Sequence, residues 1–199
     1  MSTAGPWNPP TLVTERLVIR PMRISDLPAV HRYACSYPVD RYGSWLGGTD
    51  PDDVARYIAD TVARYGRPPR CDLGITLRHP PEDRPPPGLI GGFGYRQVWL
   101  APPTLELGCV VHPDHVGQGY AQEVFEAIIH HLWRTWPDLV RCESRIHAGA
   151  TGARAVLERL GFELEGVLRS GGSMHGQLTD GMLYGLVRPE LASASEIEQ

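Results

Sequence analysis

The sequence predicts a single α/β domain: a mixed, mostly antiparallel sheet of about seven strands with helices on both faces. Three observations carry that prediction. Short strand signals rich in Val, Ile and Leu recur along the 199 residues. Three of them follow one another between residues 71 and 112. One long helix with an unbroken apolar stripe then separates the third from the next strand. Hydrophobic residues make up 42% and charged residues 21%, ordinary globular values, and 199 residues suffice for one full hydrophobic core.

In chain order, residues 1–12 read as a loose arm and 191–199 as a polar, weakly acidic tail, so the domain spans 13–190. The first strand is Arg16–Pro21, closed by its proline. Asp26 opens a helix through Ala29, Val30 and Tyr33. A second helix begins at Asp50, the N-cap, with Pro51 in its first turn and Val54, Tyr57, Ile58, Thr61 and Val62 on one face. Strands follow at Cys71–Leu77 and Leu89–Leu100, separated by a proline-rich run that can form neither helix nor central strand. A further strand, Thr104–His112, runs up to Pro113. From about Gly117 to Trp136, Ala121, Val124, Phe125, Ile128, Ile129, Leu132 and Trp133 form the stripe of a helix packed on a sheet. Leu139–His147 is a strand, parallel to Thr104–His112 because a helix connects them. A short helix through Ala153, Val156, Leu157 and Leu160 stops at Gly161, and Phe162–Arg169 and Met182–Val187 close the set.

Several function classes lack support. The net charge is −4 and no Lys/Arg run exceeds two residues, so a nucleic-acid footprint is missing. No apolar run approaches a membrane span, and the N-terminus lacks the basic and apolar regions of a signal peptide. Cys35, Cys71, Cys109 and Cys142 are widely spaced with no CxxC pair, reading as thiols of a reducing cytoplasm. The eight histidines show no HExxH or Cys/His ligand spacing, so no metal is expected.

The segment Val110–Ala121 carries the chemistry. A strand ends at Pro113, a short loop follows, and Gly117-Gln118-Gly119 opens the strongest helix. Glycine lets backbone approach a ligand without a Cβ clash. The first amides of a helix have no internal partner and lie at the positive end of its dipole, which suits a pyrophosphate. A plain helix start with glycines for packing is the alternative. The dinucleotide fingerprint is excluded because Gln122 stands where a third glycine belongs, and a P-loop because no Lys-Ser/Thr follows.

Several stretches together resemble the GNAT superfamily of acyl-CoA-dependent N-acetyltransferases, most of all the branch of ribosomal-protein N-terminal acetyltransferases. They are Thr14–Pro21, Leu89–Gly92, Glu106–Gly108, His112-Pro113 with Gly117–Glu123, and Val156–Gly166; Asp180 with Tyr184 resembles the closing strand. The matches run in family order from about residue 14 to 188. The resemblance implies acetyl-CoA, or another acyl-CoA, as cosubstrate and a small-molecule or peptide amine as acceptor, with a homodimer common in the family. It implies that Cys109, Val110 and Val111 splay from the parallel neighbour and bind the pantetheine arm through their backbone. The amides of Val116, Gly117, Gln118, Gly119, Tyr120 and Ala121 are then expected to hold the pyrophosphate, and an amide near Val110 to stabilise an oxyanion. Tyr42 and Trp45 fall in the segment that lines the family's acceptor cleft, where core packing is their alternative role.

Three positions depart from the family. Asp114 replaces the usual Gln or Arg before the first glycine; Ala150 and Ala153 replace an Asn-x-x-Ser; and Glu158 stands where other branches carry an acid tyrosine. The usual proton donors to the departing thiolate are therefore missing. Glu106 is the candidate base; its alternative is a strand residue facing solvent or pairing with an arginine. His147, Ser173, His175 and Tyr184 are further candidate proton carriers, and Glu123 is read as support for the turn. The expected activity is transfer of a short acyl group to a primary amine by direct attack in a ternary complex. The rival reading is a non-catalytic acyl-CoA-binding sensor or scaffold.

Overall fold

The computed structural model describes residues 7–35, 50–80, 88–174 and 177–189. Its strands are β1 (Leu12–Val13), β2 (Leu17–Pro21), β3 (Arg70–Leu77), β4 (Gly91–Leu100), β5 (Pro103–Val111), β6 (Arg141–His147), β7 (Glu163–Met174) and β8 (Gln177–Val187). The helices are α1 (Leu27–Ala34), α2 (Pro51–Arg64), α3 (Tyr120–Thr135) and α4 (Thr151–Arg159), with single 3-10 turns at Ile24–Asp26 and Pro113–His115. The strands form one sheet in the order β1-β2-β3-β4-β5-β6-β8-β7. Every neighbouring pair is antiparallel except β5–β6, the pair joined through α3.

Pleating sends alternate residues to opposite faces, and each face carries its own helices. Leu17 and Ile19 of β2, Leu73 and Ile75 of β3, Phe93 and Tyr95 of β4, and Leu105 and Leu107 of β5 pack against Val124, Phe125, Ile128 and Leu132 of α3. Phe125 stands edge-on to Phe93, with ring centroids 5.0 Å apart. Burying each such side chain contributes about 1.5–3 kcal/mol. On the opposite face Val30, Tyr33 and Ala34 of α1 pack with Val54 and Ile58 of α2, Met22 and Leu89. The strand positions beneath them are glycines: a Cβ on Gly92 would lie 3.1 Å from the Tyr33 hydroxyl, and one on Gly74 would lie 2.6 Å from Leu89. The bare backbone there lets the helices settle close to the sheet.

Asp50 caps α2 as its spacing predicts, its side chain accepting from the Asp52 N–H at 2.8 Å. Four expectations need correction. The arm is not loose from Trp7 onward: its ring stacks on Tyr95 and meets Trp136 edge-on, and its carbonyl accepts from the Gly66 N–H. Leu12–Val13 adds an eighth strand to the expected seven, too short for a periodic signal. The long helix starts at Tyr120, three residues late, because Gly117 and Gly119 both adopt left-handed φ. The last two strands form one long hairpin, in which a register shift between Leu168 and Gly172 absorbs the Ser-Gly-Gly that reads as a break.

Candidate acyl-transfer site

Parallel pairing of β5 with β6 lasts only three rungs, Thr104↔Arg141, Leu105↔Cys142 and Glu106↔Glu143. The Ser144 hydroxyl donates to the Leu107 carbonyl at 3.0 Å as a last link, and beyond it the strands part. On the α3/α4 face this leaves a cleft of about 400 Å³. Of the expected cofactor residues, Cys109, Val111, Val116, Gly117, Gly119, Tyr120 and Ala121 line it; Val110 and Gln118 do not.

Backbone direction in β5 follows from its hydrogen bonds. Pro103 offers its carbonyl to Val140, and Leu107 offers its own to Ser144, both on the β6 side. His112 donates to Ile90 on the β4 side. Strand alternation then aims the N–H groups of Cys109 and Val111 at the opening, while that of Val110 faces β4 opposite Gly92. The amide expected at Val110 is thus corrected to its two neighbours. The side chain of Val110 packs on the α1/α2 face.

The loop before α3 is held open by glycine. Gly117 has φ +76° and Gly119 φ +78°, and a Cβ on Gly117 would meet nothing within 4 Å. The first α3 N–H with a backbone partner is that of Glu123, bonded to the Gly119 carbonyl, so the amides of Tyr120, Ala121 and Gln122 have no partner within the helix. A clasp from the β1–β2 turn steadies this loop. Arg16 donates through Nε to Glu123 at 2.7 Å and through Nη1 to the Gln118 carbonyl at 2.7 Å, with its guanidinium 4.8 Å from the Tyr120 ring centre. The Thr14 hydroxyl and the Arg16 N–H also bond the Glu123 carboxylate. Burial pushes that carboxyl up, but these hydrogen bonds outweigh it and hold it below its ordinary value.

A second hollow of about 230 Å³ lies on the α1/α2 face under Tyr33 and Tyr57. It shares only Gly108 and Cys109 of β5 with the cleft, so that stretch of strand borders both hollows. Register arranges its floor in rows across β3, β4 and β5: Arg70–Arg96–Glu106, then Asp72–Gly94–Gly108. Asp72, buried at 5% exposure, takes two bonds from Arg70 at 2.6 and 2.8 Å. It leans over Gly94, where an added Cβ would lie 2.6 Å from its Oδ1. Glu106 accepts from Arg96 at 3.0 and 3.2 Å and lies 3.5 Å from Arg145 Nε. Burial pushes the Tyr33 and Tyr57 phenols well above their ordinary value, so both are neutral donors at pH 7.

The other candidates disperse. His147 bonds the Thr179 hydroxyl at 2.9 Å and lines neither hollow. Tyr184 is fully buried in the α3-side core with its hydroxyl 3.3 Å from Glu158, again outside both. Ser173 stands opposite Leu178 in the β7–β8 register, and His175, Tyr42 and Trp45 lie outside the described residues. Ala150 caps α4 without a side-chain bond, and both Ala150 and Ala153 border the cleft. Asp72, Arg70, Arg96, Tyr33, Tyr57 and Arg145 were missed. For the first three the signal is the spacing Arg70-x-Asp72 and Gly92-x-Gly94-x-Arg96, which with Glu106-x-Gly108 puts them on one sheet face once the register is known. Among the described residues no three His, Cys, Asp or Glu side chains gather as a metal site, and no helix is long and apolar enough to cross a membrane.

A sheet parted between two parallel strands, with a glycine-opened helix start beside the gap, defines an acyltransferase fold. Residues 16–163 match the acetyltransferase (GNAT) domain, and the chain belongs to that family. It is 27% identical over 185 residues to the uncharacterized N-acetyltransferase p20 of Bacillus licheniformis, covering 92% of this chain and 98% of that one. Its fold is similar to that of the Salmonella typhimurium acetyltransferase that modifies the N-terminal serine of ribosomal protein L7/L12. There the TM-score is 0.75 at 17% identity, over 89% of this chain and 98% of that one. It is also similar to the ribosomal L7/L12 α-N-acetyltransferase RimL in complex with coenzyme A, with TM-score 0.76, 17% identity, and 89% and 97% covered.

Proposed function

We propose that this chain transfers an acetyl group from acetyl-CoA to a primary amine by direct attack, the thioester entering from the α3/α4 cleft and the amine from the α1/α2 hollow. The observation that carries the reading is that two hollows on opposite faces of the sheet share Gly108 and Cys109 in their linings. The residues present fit CoA: partnerless amides at the start of α3 and the side-chain-free Gly117 and Gly119 suit a diphosphate, and the parted β5 offers backbone donors to an amide-bearing arm.

When bound, acetyl-CoA supplies the activated acyl carbon and a thiolate leaving group. The N–H groups of Cys109 and Val111 donate to negative charge developing on the acyl oxygen. As the amine nitrogen bonds to the acyl carbon and the C–S bond breaks, Glu106 takes the amine proton, directly or through water. No side chain is needed to protonate the sulfur, since an ordinary thiol titrates near 8.5 and its anion departs readily. This accommodates Ala150, Ala153 and Glu158. An acyl-cysteine detour is disfavoured because burial pushes the Cys109 thiol up to about 12.

A peptide or protein α-amine is the first acceptor class to test, because the relative of similar fold from Salmonella typhimurium acts on one. Thiol release is to be followed with acetyl-CoA and a panel of N-terminal peptides, lysine and polyamines. Turnover with any of them supports the reading. Tight acetyl-CoA binding without turnover on the whole panel moves the conclusion to a sensor. Absence of binding removes both.

A further inference from the structure

The last rung joining β5 to β6 places two carboxylates side by side, Glu106 and Glu143. Like charges on neighbouring strands repel, and Glu143 is only 3% exposed. Apolar residues would serve the sheet at least as well there, since a buried ion pair seldom outperforms hydrophobic packing. Arginines reconcile the two acids instead. Arg96 lies 3.0 Å from Glu106, Arg145 lies 3.5 Å from Glu106 and 3.3 Å from Glu143, and Arg141 lies 3.8 Å from Glu143 and 2.6 Å from Glu165. Charge thus alternates along six side chains from β4 to β7, across the mouth where the strands part. Within that chain Glu106 lines the amine hollow, and Arg145 borders the cofactor cleft.

We propose that Arg145 and Glu143 are positioning residues for the proposed base: Glu143 holds the Arg145 guanidinium, which with Arg96 fixes the Glu106 carboxylate at the junction of the two hollows. Oε2 of Glu106 faces both arginines, at 3.0 and 3.5 Å. Oε1 takes a single bond from Arg96 Nε at 3.2 Å and is the oxygen left to receive the amine proton. The inference rests on Glu106 acting as base, and its test separates the two.

Four variants serve: Glu106→Gln, Arg145→Gln, Arg145→Lys and Glu143→Gln. For each, kcat, the amine KM, the acetyl-CoA Kd, the melting temperature and the pH profile of kcat/KM are measured. Glu106 also meets Arg96 of β4, and Arg70 and Asp72 of β3, Tyr33 of α1 and Tyr57 of α2 line its hollow; all stay in place throughout. Arg145→Gln is expected to lower kcat about tenfold, part of the ~10²–10⁴-fold that acid–base help provides, a larger change than in acetyl-CoA Kd. Removing that cation moves the acid limb of the profile to higher pH, and Arg145→Lys restores most of the rate. Glu143→Gln removes the neighbouring negative charge, which moves the limb the opposite way, and lowers kcat because the Arg145 guanidinium is no longer held. An unchanged limb and rate in Arg145→Gln, with Glu106→Gln inactive, overturns the positioning role alone. Equal losses in Arg145→Gln and Arg145→Lys, with a lower melting temperature and no shift of the limb, also overturn it by reducing the pair to a clasp. Full activity in Glu106→Gln removes the base reading beneath it.

Discussion

Under the proposed function the two sides of the sheet bind by different means. On the α3/α4 side the work falls to main chain: amides at the start of one helix, two left-handed glycines and the open edge of β5. On the α1/α2 side it falls to side chains, Arg70 and Asp72, Arg96 and Glu106, Tyr33 and Tyr57, drawn from five elements. A site made of backbone tolerates replacement of its side chains but not a change of φ. A site made of paired charges tolerates neither the loss of one partner nor crowding. The contrast gives each substitution a side on which it should act.

The largest effect is expected from Gly119→Val. A β-branched residue at φ +78° strains the loop, and its Cβ would lie 3.4 Å from Arg16 Nη2. At about 1–3 kcal/mol of strain, calorimetry should record CoA affinity falling on the order of 100-fold with the far-UV circular dichroism unchanged. Affinity equal to wild type would erase the backbone side of the contrast. Next comes Glu106→Gln, which should lower kcat roughly 100-fold while leaving acetyl-CoA Kd alone. A parallel loss of acetyl-CoA binding would mean the two sides are not separable.

Gly94→Ala tests crowding. Its Cβ would sit 2.6 Å from Asp72 Oδ1, a carboxylate pinned by Arg70, so the pair must shift. Destabilisation of about 1–3 kcal/mol and a raised amine KM are expected, with CoA binding intact. The smallest effect concerns the clasp. Glu123 is held below its ordinary 4.5, so the stability it contributes is whole above that pH and is lost as pH falls through its lower folded value. Arg16→Ala removes the side-chain bonds to Glu123 and Gln118. It should cost about 0.5–1 kcal/mol at pH 7 and make the melting temperature fall less steeply below pH 4.5, as acid titration of both proteins would reveal.

The same contrast explains what could be read in the chain. Gly117-Gln118-Gly119 ahead of an apolar stripe is contiguous, so sequence alone places the glycine turn before α3, and the Asp50 cap and the β5–β6 crossover follow from equally local signals. Asp72 is 22 residues from Gly94 and 34 from Glu106, and only the antiparallel register sets them in neighbouring rows. Tyr33 and Tyr57 carry helical periodicity, which announces burial but not which hollow they roof. The N–H at Val110 failed as an expectation because strand parity is fixed by the partner strands rather than by the residue itself. Tyr184 failed because a tyrosine on a strand gives no sign of which face it takes.

Cys109 lines both hollows, where the proposed reaction places the acyl group. Burial pushes its thiol, and those of Cys71 and Cys142, up to about 12. A thiol held that high stays protonated at physiological pH, which disfavours nucleophilic attack by its sulfur. Cys35, exposed after α1, is the most open of the four thiols, whereas Cys71 and Cys142 are buried. Iodoacetamide at neutral pH should therefore mark Cys35 well ahead of those two.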